Sequence, residues 1–278
     1  MFQPIVPIGG VAGWKLLERT QDRQLEAFVN SPEIKRNIDH FRENAGKINT
    51  IDEFFADRRV LEVALGAYGL QDEIFKTAYL QKVVSDGVFD DSDFANRLTD
   101  KRFAEFAQAV GFGDGVPYLL KAETVREKFI TRYIDRAFEV SLGNVDQNMR
   151  LASNFKREIA EIASDPSADS SGWFKVLGRS DLRAVLDGAL GMPSEFAGID
   201  VDQQRAEIES RMASLIGSRS PTALNDPANV DKLIQRFLFR AEAEAGPNAL
   251  TPGATALTLL QSSSFSGAGG QNLFQSLL

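Results

Sequence analysis

The spacing of apolar residues along this chain is helical almost throughout, and strand signals are scarce. Residues 122–142 and 145–162 each place a stripe of apolar side chains on one face, and the segments that end near Gly217 and Ala241 do the same. Residues 50–53, Thr-Ile-Asp-Glu, form a capping box, which marks the N-terminus of a helix. The pattern predicts an all-α protein, a multi-helix array of short helices.

Three of the predicted helices end in the same way, on a glycine followed at once by an apolar residue. The glycines are Gly69, Gly111 and Gly191. Because glycine adopts the left-handed conformation without a steric penalty, we expect each of them to cap its helix while the next residue folds back on the last turn. The recurrence has two explanations, an internal duplication of the chain or independent use of the same cap.

Charge and composition restrict the function. The net charge is −8, from 39 acidic and 31 basic residues, which argues against a general role on nucleic acid. The chain has no apolar run of about 18 residues, so we expect no transmembrane segment. The first ten residues lack a basic region and contain two prolines, so we expect no conventional signal peptide. Together with the absence of cysteine, these features predict a soluble, cytoplasmic protein.

Two segments interrupt the helical pattern. Residues 164–172 are polar and rich in serine, and they are typical either of a linker between domains or of an exposed loop. Residues 246–278 contain no charged side chain. We therefore divide the chain into a helical body, residues 1–245, and an uncharged tail, residues 246–278.

The tail contains more large apolar residues than a flexible linker needs. The candidate partner-binding residues in it are Leu257, Leu260, Phe265, Leu273 and Phe274. One interpretation is a disordered tail. The alternative is a segment that docks on its own helical body or binds a protein partner.

Residue types that carry catalysis or bind metals are rare or poorly placed. His40 is the only histidine, and we expect it either at the boundary between core and solvent or in solvent. One histidine without any cysteine argues against a zinc site. The aspartates at 86, 90, 91 and 93 lack the spacing of a calcium-binding loop. We expect no cofactor and no enzymatic activity; a hydrolase that uses a carboxylate pair is the minor alternative, because acidic residues are plentiful.

Several ordered segments resemble a domain family of unknown function from alphaproteobacteria, whose members are often encoded in or near flagellar gene clusters. The segments that carry the resemblance are residues 28–36, 41–44, 50–70, 95–100, 112–113, 173–178, 189–193 and 233–238. The family implies no established activity, cofactor or catalytic residue. It does imply a helical protein with a flagellar association.

These observations lead to two main hypotheses. The first is a non-enzymatic structural or accessory protein that is flagellum-associated and binds protein partners such as flagellar components. The second is a cytoplasmic regulatory or chaperone-like binding module, in which the tail mimics a partner helix or competes for it.

Overall fold

The computed structural model describes residues 2–113 and 116–245. These residues confirm the prediction of an all-α fold. The α-helices are α1 (Gly10–Val29), α2 (Pro32–Asn44), α3 (Ile51–Ala56), α4 (Arg58–Gly66), α5 (Thr77–Ser85), α6 (Phe94–Arg97), α7 (Arg102–Val110), α8 (Tyr118–Lys121), α9 (Glu123–Gly143), α10 (Gln147–Ser164), α11 (Ala168–Leu177), α12 (Ser180–Leu190), α13 (Val201–Ile216) and α14 (Pro227–Ala245). Short 3-10 helices lie at Ala45–Lys47, Gln71–Glu73, Ser194–Gly198 and Pro221–Asn225.

A short antiparallel pair, two residues on each side, is the only strand pairing among the described residues. β1 (Phe112–Gly113) pairs with β2 (Val116–Pro117), and Phe112 lies opposite Pro117. Among the helices described, none has the length and apolar character needed to cross a lipid bilayer.

The capping box predicted at residues 50–53 is present with one change. The Thr50 hydroxyl accepts a hydrogen bond from the Glu53 N–H at 3.1 Å, as a cap of α3 should. The Glu53 carboxylate accepts from the N–H of Asn49 at 2.8 Å, one residue before the expected partner. Both ends of the motif therefore use N–H groups that the helix itself cannot satisfy.

The buried apolar side chains form two cores that meet along α9. The first core is built from α1 and from α10 to α14, and the second from α2 to α8. Helix α9 contributes Phe129 and Tyr133 to the second core and Phe138 and Leu142 to the first. The chain thus crosses between the cores twice, once from α1 to α2 and once along α9.

The N-terminal residues complete the first core. The Phe2 ring lies 5.5 Å from the ring of Phe28, edge to face. The side-chain amide of Gln24 holds the backbone of Ile5 from both sides, with its Oε1 2.7 Å from the Ile5 nitrogen and its Nε2 3.2 Å from the Ile5 oxygen. Residues 2–9 therefore lie back along α1, which they reach without a regular element of their own.

The two cores do not separate at residues 164–172, for which the sequence left a domain linker and an exposed loop as alternatives. Residues 165–167 make a turn, and α11 begins at Ala168. Gly172 and Trp173 are buried in the same core as Phe155 of α10. A Cβ atom at Gly172 would lie 3.0 Å from Cγ of Pro221. The small residues of this segment therefore allow close packing of α11, and they do not form a linker.

Candidate functional site

The three glycines singled out in the sequence all lie at helix C-termini in the left-handed conformation, with φ of +68° at Gly69, +64° at Gly111 and +67° at Gly191. Gly69 and Gly191 show both hydrogen bonds of a Schellman ending. After α4, Leu70 N–H bonds to Leu65 O at 2.9 Å and Gly69 N–H to Gly66 O at 3.1 Å. After α12, Met192 N–H bonds to Asp187 O at 2.9 Å and Gly191 N–H to Gly188 O at 3.2 Å. Gly111 makes the simpler ending, with its N–H bonded to Ala107 O at 3.0 Å.

Arginine side chains lie against the glycine that ends α4. Arg102 donates from Nη1 to the Gly69 carbonyl at 2.6 Å. Nη1 of Arg136 would lie only 2.9 Å from a Cβ atom at the same glycine. The carbonyl groups at a helix C-terminus carry partial negative charge, so guanidinium groups stabilise this end of α4. The missing Cβ is what allows Arg136 to approach so closely.

The end of α12 has a similar arrangement. Arg211 of α13 donates to the Gly191 carbonyl at 2.8 Å, and Arg236 of α14 donates to the Ala189 carbonyl at 3.0 Å. The guanidinium carbon of Arg240 would lie 2.8 Å from a Cβ at Gly191. Three arginines from two helices thus cover one helix end, and they tie α12, α13 and α14 together.

Arg136 also belongs to a buried charge network centred on Glu158 of α10. The Glu158 side chain is 4% exposed, and its carboxylate accepts from Arg136 at 2.6 Å, from Arg179 at 2.6 Å and from Arg157. Burial by itself raises the pKa of this carboxyl. The attraction of the three guanidinium groups outweighs burial and lowers the pKa of Glu158 to about 2.

A second buried carboxylate completes the network. Glu139 of α9 accepts from Nε and Nη2 of Arg157, both at 2.8 Å, in a bidentate pair. Arg157 also donates to Asn154 at 3.1 Å, and Asn154 donates to Asp181. Burial raises the pKa of Glu139, in contrast to Glu158, because one guanidinium partner does not outweigh burial as three do.

The network lies where the two cores meet. Arg136 comes from α9, Glu158 from α10, and Arg179 from the turn between α11 and α12. Gly69, in the turn after α4, lies beside Arg136, and Arg102 of α7 bonds the carbonyl of Gly69. We therefore describe these residues as the charged junction. Its ion pairs join α9, α10 and the turn between α11 and α12.

Sequence reasoning missed the charged junction, although a signal exists. Asn154 and Glu158 are 3% exposed, and each directly precedes a residue of the apolar stripe, Phe155 and Ile159. A polar residue in that position is usually at the boundary between core and solvent. Only their partners from other elements, Arg136 and Arg179 for Glu158 and Asp181 for Asn154, explain why these two are buried.

Two shallow grooves run along α9 and α10 and meet at Asp135 and Arg157. The larger groove has a volume of about 390 Å³, and its lining includes Lys128, Arg132 and Glu161. Arg132 pairs with Glu161 at 3.6 Å. Burial raises the pKa of the Asp135 carboxyl, while Arg157 and Arg136 act in the opposite direction. The lining therefore carries charges of both signs.

The single histidine has a structural environment. Nε2 of His40 lies 2.9 and 2.8 Å from the two carboxylate oxygens of Asp57, and the histidine side chain is 29% exposed. Asp57 accepts from the N–H groups of Arg59 at 3.2 Å and Val60 at 3.1 Å, which caps α4. Burial raises the pKa of Asp57, but the hydrogen bonds from His40 and from α4 outweigh it and lower the pKa. His40 thus links α2 to the start of α4.

Two remaining sets of sequence candidates are placed as follows. Asp86, Asp90, Asp91 and Asp93 lie in the loop between α5 and α6. Over residues 2–113 and 116–245 no three acidic or histidine side chains are grouped so that they could hold a metal ion. The tail residues Leu257, Leu260, Phe265, Leu273 and Phe274 lie outside the described residues.

The fold and the charged junction define an all-α protein whose two cores share one long helix. The sequence matches the family described as Protein of unknown function (DUF1217) over residues 67–230, more than half of the chain. The chain therefore belongs to that family. Membership in a family of unknown function was predicted and is confirmed, whereas the flagellar association stays a prediction.

One solved structure is similar to this chain over most of its length. It is the crystal structure of protein AGR_C_984 from Agrobacterium tumefaciens, with a TM-score of 0.69 and 28% sequence identity. The match covers 88% of this chain and 100% of the Agrobacterium chain. No curated protein matches the sequence significantly.

Proposed function

We propose that this chain is a non-enzymatic structural or accessory protein, associated with the flagellum, that binds protein partners through its helical surface. The observation that carries the binding role is the exposure of large apolar side chains. Phe89 is 89% exposed, Phe75 79%, Ile5 69% and Phe239 67%. Such side chains gain free energy when a partner removes them from water.

The pairing of buried ionisable side chains with one another supports a non-enzymatic role. Arg157 pairs with both Glu139 and Glu158 in the charged junction, so these three side chains are already engaged in ion pairs within the protein. In the groove between α9 and α10, Arg157 is committed to the same network and Arg132 to Glu161. These paired groups therefore serve packing between helices.

The flagellar part of the proposal comes from the resemblance to a family often encoded in or near flagellar gene clusters. Deletion of the gene should reduce swimming in soft agar, and the wild-type gene should restore it. A fully motile deletion strain with intact filaments would contradict the flagellar association.

The binding role is tested in the same strain. A triple variant, Phe75→Ser, Phe89→Ser and Phe239→Ser, should fold but fail to restore swimming. A matched variant with serine at the exposed Glu43 and Lys128 should restore it. Circular dichroism checks that both variants are folded. Full complementation by the triple variant would show that the exposed phenylalanines are not needed.

The second candidate is a cytoplasmic regulatory or chaperone-like binding module. The composition of residues 246–278, apolar and without charge, favours it. Truncation after Ala245 separates two roles for this segment. If the segment docks on the helical body, its removal should lower the melting temperature. If the segment instead binds a partner, its removal should leave the melting temperature unchanged, and the partner should no longer be recovered from cells.

A further inference from the structure

The loop between α5 and α6 carries the most exposed large apolar side chain of the described residues. Phe89 is 89% exposed in this loop, which we define as residues 86–93 and call the Phe89 loop. Removal of a phenyl ring from water on binding is favourable, and aromatic rings are frequent anchors of protein interfaces.

Hydrogen bonds fix the backbone on both sides of this ring. The side-chain amide of Asn96 donates to the Val88 carbonyl at 3.1 Å and to the Asp90 carbonyl at 2.8 Å. The Asp93 carboxylate accepts from the Asp90 N–H at 2.9 Å. The loop therefore presents Phe89 in a set conformation, and little ordering entropy is lost when a partner covers the ring.

The turn before the ring uses a glycine in the left-handed conformation. Gly87 has φ of +77°, and a Cβ atom there would lie 3.4 Å from Cδ2 of Phe89. The other strongly exposed phenylalanine near this region differs, since the guanidinium of Arg58 lies 4.8 Å from the centre of the Phe75 ring. Phe75 thus already has a cationic neighbour.

The ionisable residues within the Phe89 loop are all aspartates. Asp86, Asp90 and Asp91 are all exposed, and Lys82 pairs with Asp86 at 2.9 Å. A partner that covers the ring must approach Asp90 and Asp91, which directly follow Phe89 in the chain, whereas Lys82 already offsets the charge of Asp86. Electrostatic complementarity therefore favours a partner surface with basic side chains.

We propose that the Phe89 loop is a docking element, which inserts the Phe89 ring into an apolar pocket rimmed by lysine or arginine on a different protein. The inference rests on the proposed function, because it names the surface and the kind of partner for the binding role. The ring supplies the buried contact, and the aspartates supply charge complementarity at its rim.

The test uses the full chain in the cells that produce it. A photo-crosslinking phenylalanine analogue, p-benzoylphenylalanine, replaces Phe89, and matched strains carry it at Phe75 or at Phe239. Irradiation should give an adduct with a different protein that is stronger from position 89 than from position 75. Mass spectrometry of the adduct should place the crosslink at an apolar site flanked by lysine or arginine.

The protein identified in this way then serves as the binding probe in vitro. Phe89→Ala should weaken its binding by about tenfold or more, as truncation of an interface anchor does. Asp90→Asn with Asp91→Asn should weaken binding less and should reduce its dependence on salt. Circular dichroism confirms that the variants are folded.

Each other outcome overturns the inference. An adduct with a second copy of this chain, or at an acidic site, contradicts the stated partner. Adducts from positions 75 or 239 without one from 89 contradict the role of the Phe89 loop but leave the proposed binding function standing. If none of the three positions gives an adduct, the inference and the proposed binding function fail together.

Discussion

Glycines that end helices in this protein share a positive φ but have different surroundings. A Cβ at Gly217, which has φ of +80°, would meet nothing within 4 Å. At Gly69 it would lie 2.9 Å from Arg136, whose guanidinium is held by Glu158 at 2.6 Å. The sequence predicted the backbone role of Gly69. It could not predict the arginine, because the contact joins residues far apart along the chain.

Because their surroundings differ, replacement of Gly69 and of Gly217 by alanine should lower the free energy of unfolding by different amounts. Gly217→Ala should destabilise the protein by about 1–2 kcal/mol through the left-handed conformation alone. Gly69→Ala should destabilise it further, because it also displaces Arg136 from the charged junction. Gly198→Ala is the control, since Gly198 has no positive φ and no atom within 4 Å of the added Cβ. Unfolding in urea measures all three, and equal losses at positions 69 and 217 would contradict the role of Arg136.

The central carboxylate of the charged junction gives a second prediction. Glu158→Gln leaves Arg136, Arg157 and Arg179 without their shared partner. The loss in unfolding free energy should be about 3–5 kcal/mol, the range for breaking a buried ion pair. Glu161→Gln is the control, because the Glu161 side chain is 57% exposed and pairs with Arg132 at 3.6 Å. Its effect should stay below about 1 kcal/mol.

The effect of Glu158→Gln should also depend on pH. Folding lowers the pKa of Glu158 from 4.5 to about 2, so the unfolded chain binds the proton first as the pH falls. The stabilisation from this carboxylate is therefore fully present above pH 4.5 and is lost as the pH falls toward 2. The difference in unfolding free energy between wild type and variant should shrink over that window. A difference that stays constant would contradict the ionised state of Glu158.

At the scale of elements, amphipathic stripes predicted helices well, and small residues misled. Helices α9, α10, α13 and α14 lie where the spacing of apolar residues placed them. The start of α11 was not predicted, because serine, glycine and aspartate are also typical of loops. What decides between loop and helix here is a tertiary contact, the packing of Gly172 against Pro221.

That contact predicts the sign of one substitution. In an exposed helix, replacing glycine with alanine stabilises by about 1 kcal/mol. Gly172→Ala should instead lower the melting temperature, because the new Cβ would lie 3.0 Å from Cγ and 3.1 Å from Cβ of Pro221. Ser170→Ala is the control, since Ser170 is exposed on the same helix. Thermal unfolding followed by circular dichroism compares the two, and a stabilising Gly172→Ala would contradict the close packing.

For the whole molecule, the division into two cores could not be predicted from the sequence. Helix α9 shows one continuous apolar stripe, but its first half packs in the second core and its second half in the first. Periodicity reports which residues are buried and not which helices they face. The shared helix couples the unfolding of the two cores. If α9 unwinds as one helix, apolar side chains of both cores are exposed to water.

Coupling through α9 predicts a single unfolding transition. The two tryptophans, Trp14 and Trp173, both lie in the first core, so their fluorescence reports that core. Phe54 is fully buried in the second core, and Phe54→Ala should destabilise by about 3–5 kcal/mol. We expect this variant to shift the fluorescence transition as far as the circular dichroism transition.

A substitution in the first core serves as the control for Phe54→Ala. Phe155→Ala removes a ring from the first core and should shift both signals in the same way. If Phe54→Ala does not fold, Val63→Ala removes fewer atoms from the same second core and serves the same comparison. Two independent cores would give a different result. The fluorescence midpoint would stay at its wild-type value while circular dichroism split into two steps, because α9 would then unwind in halves.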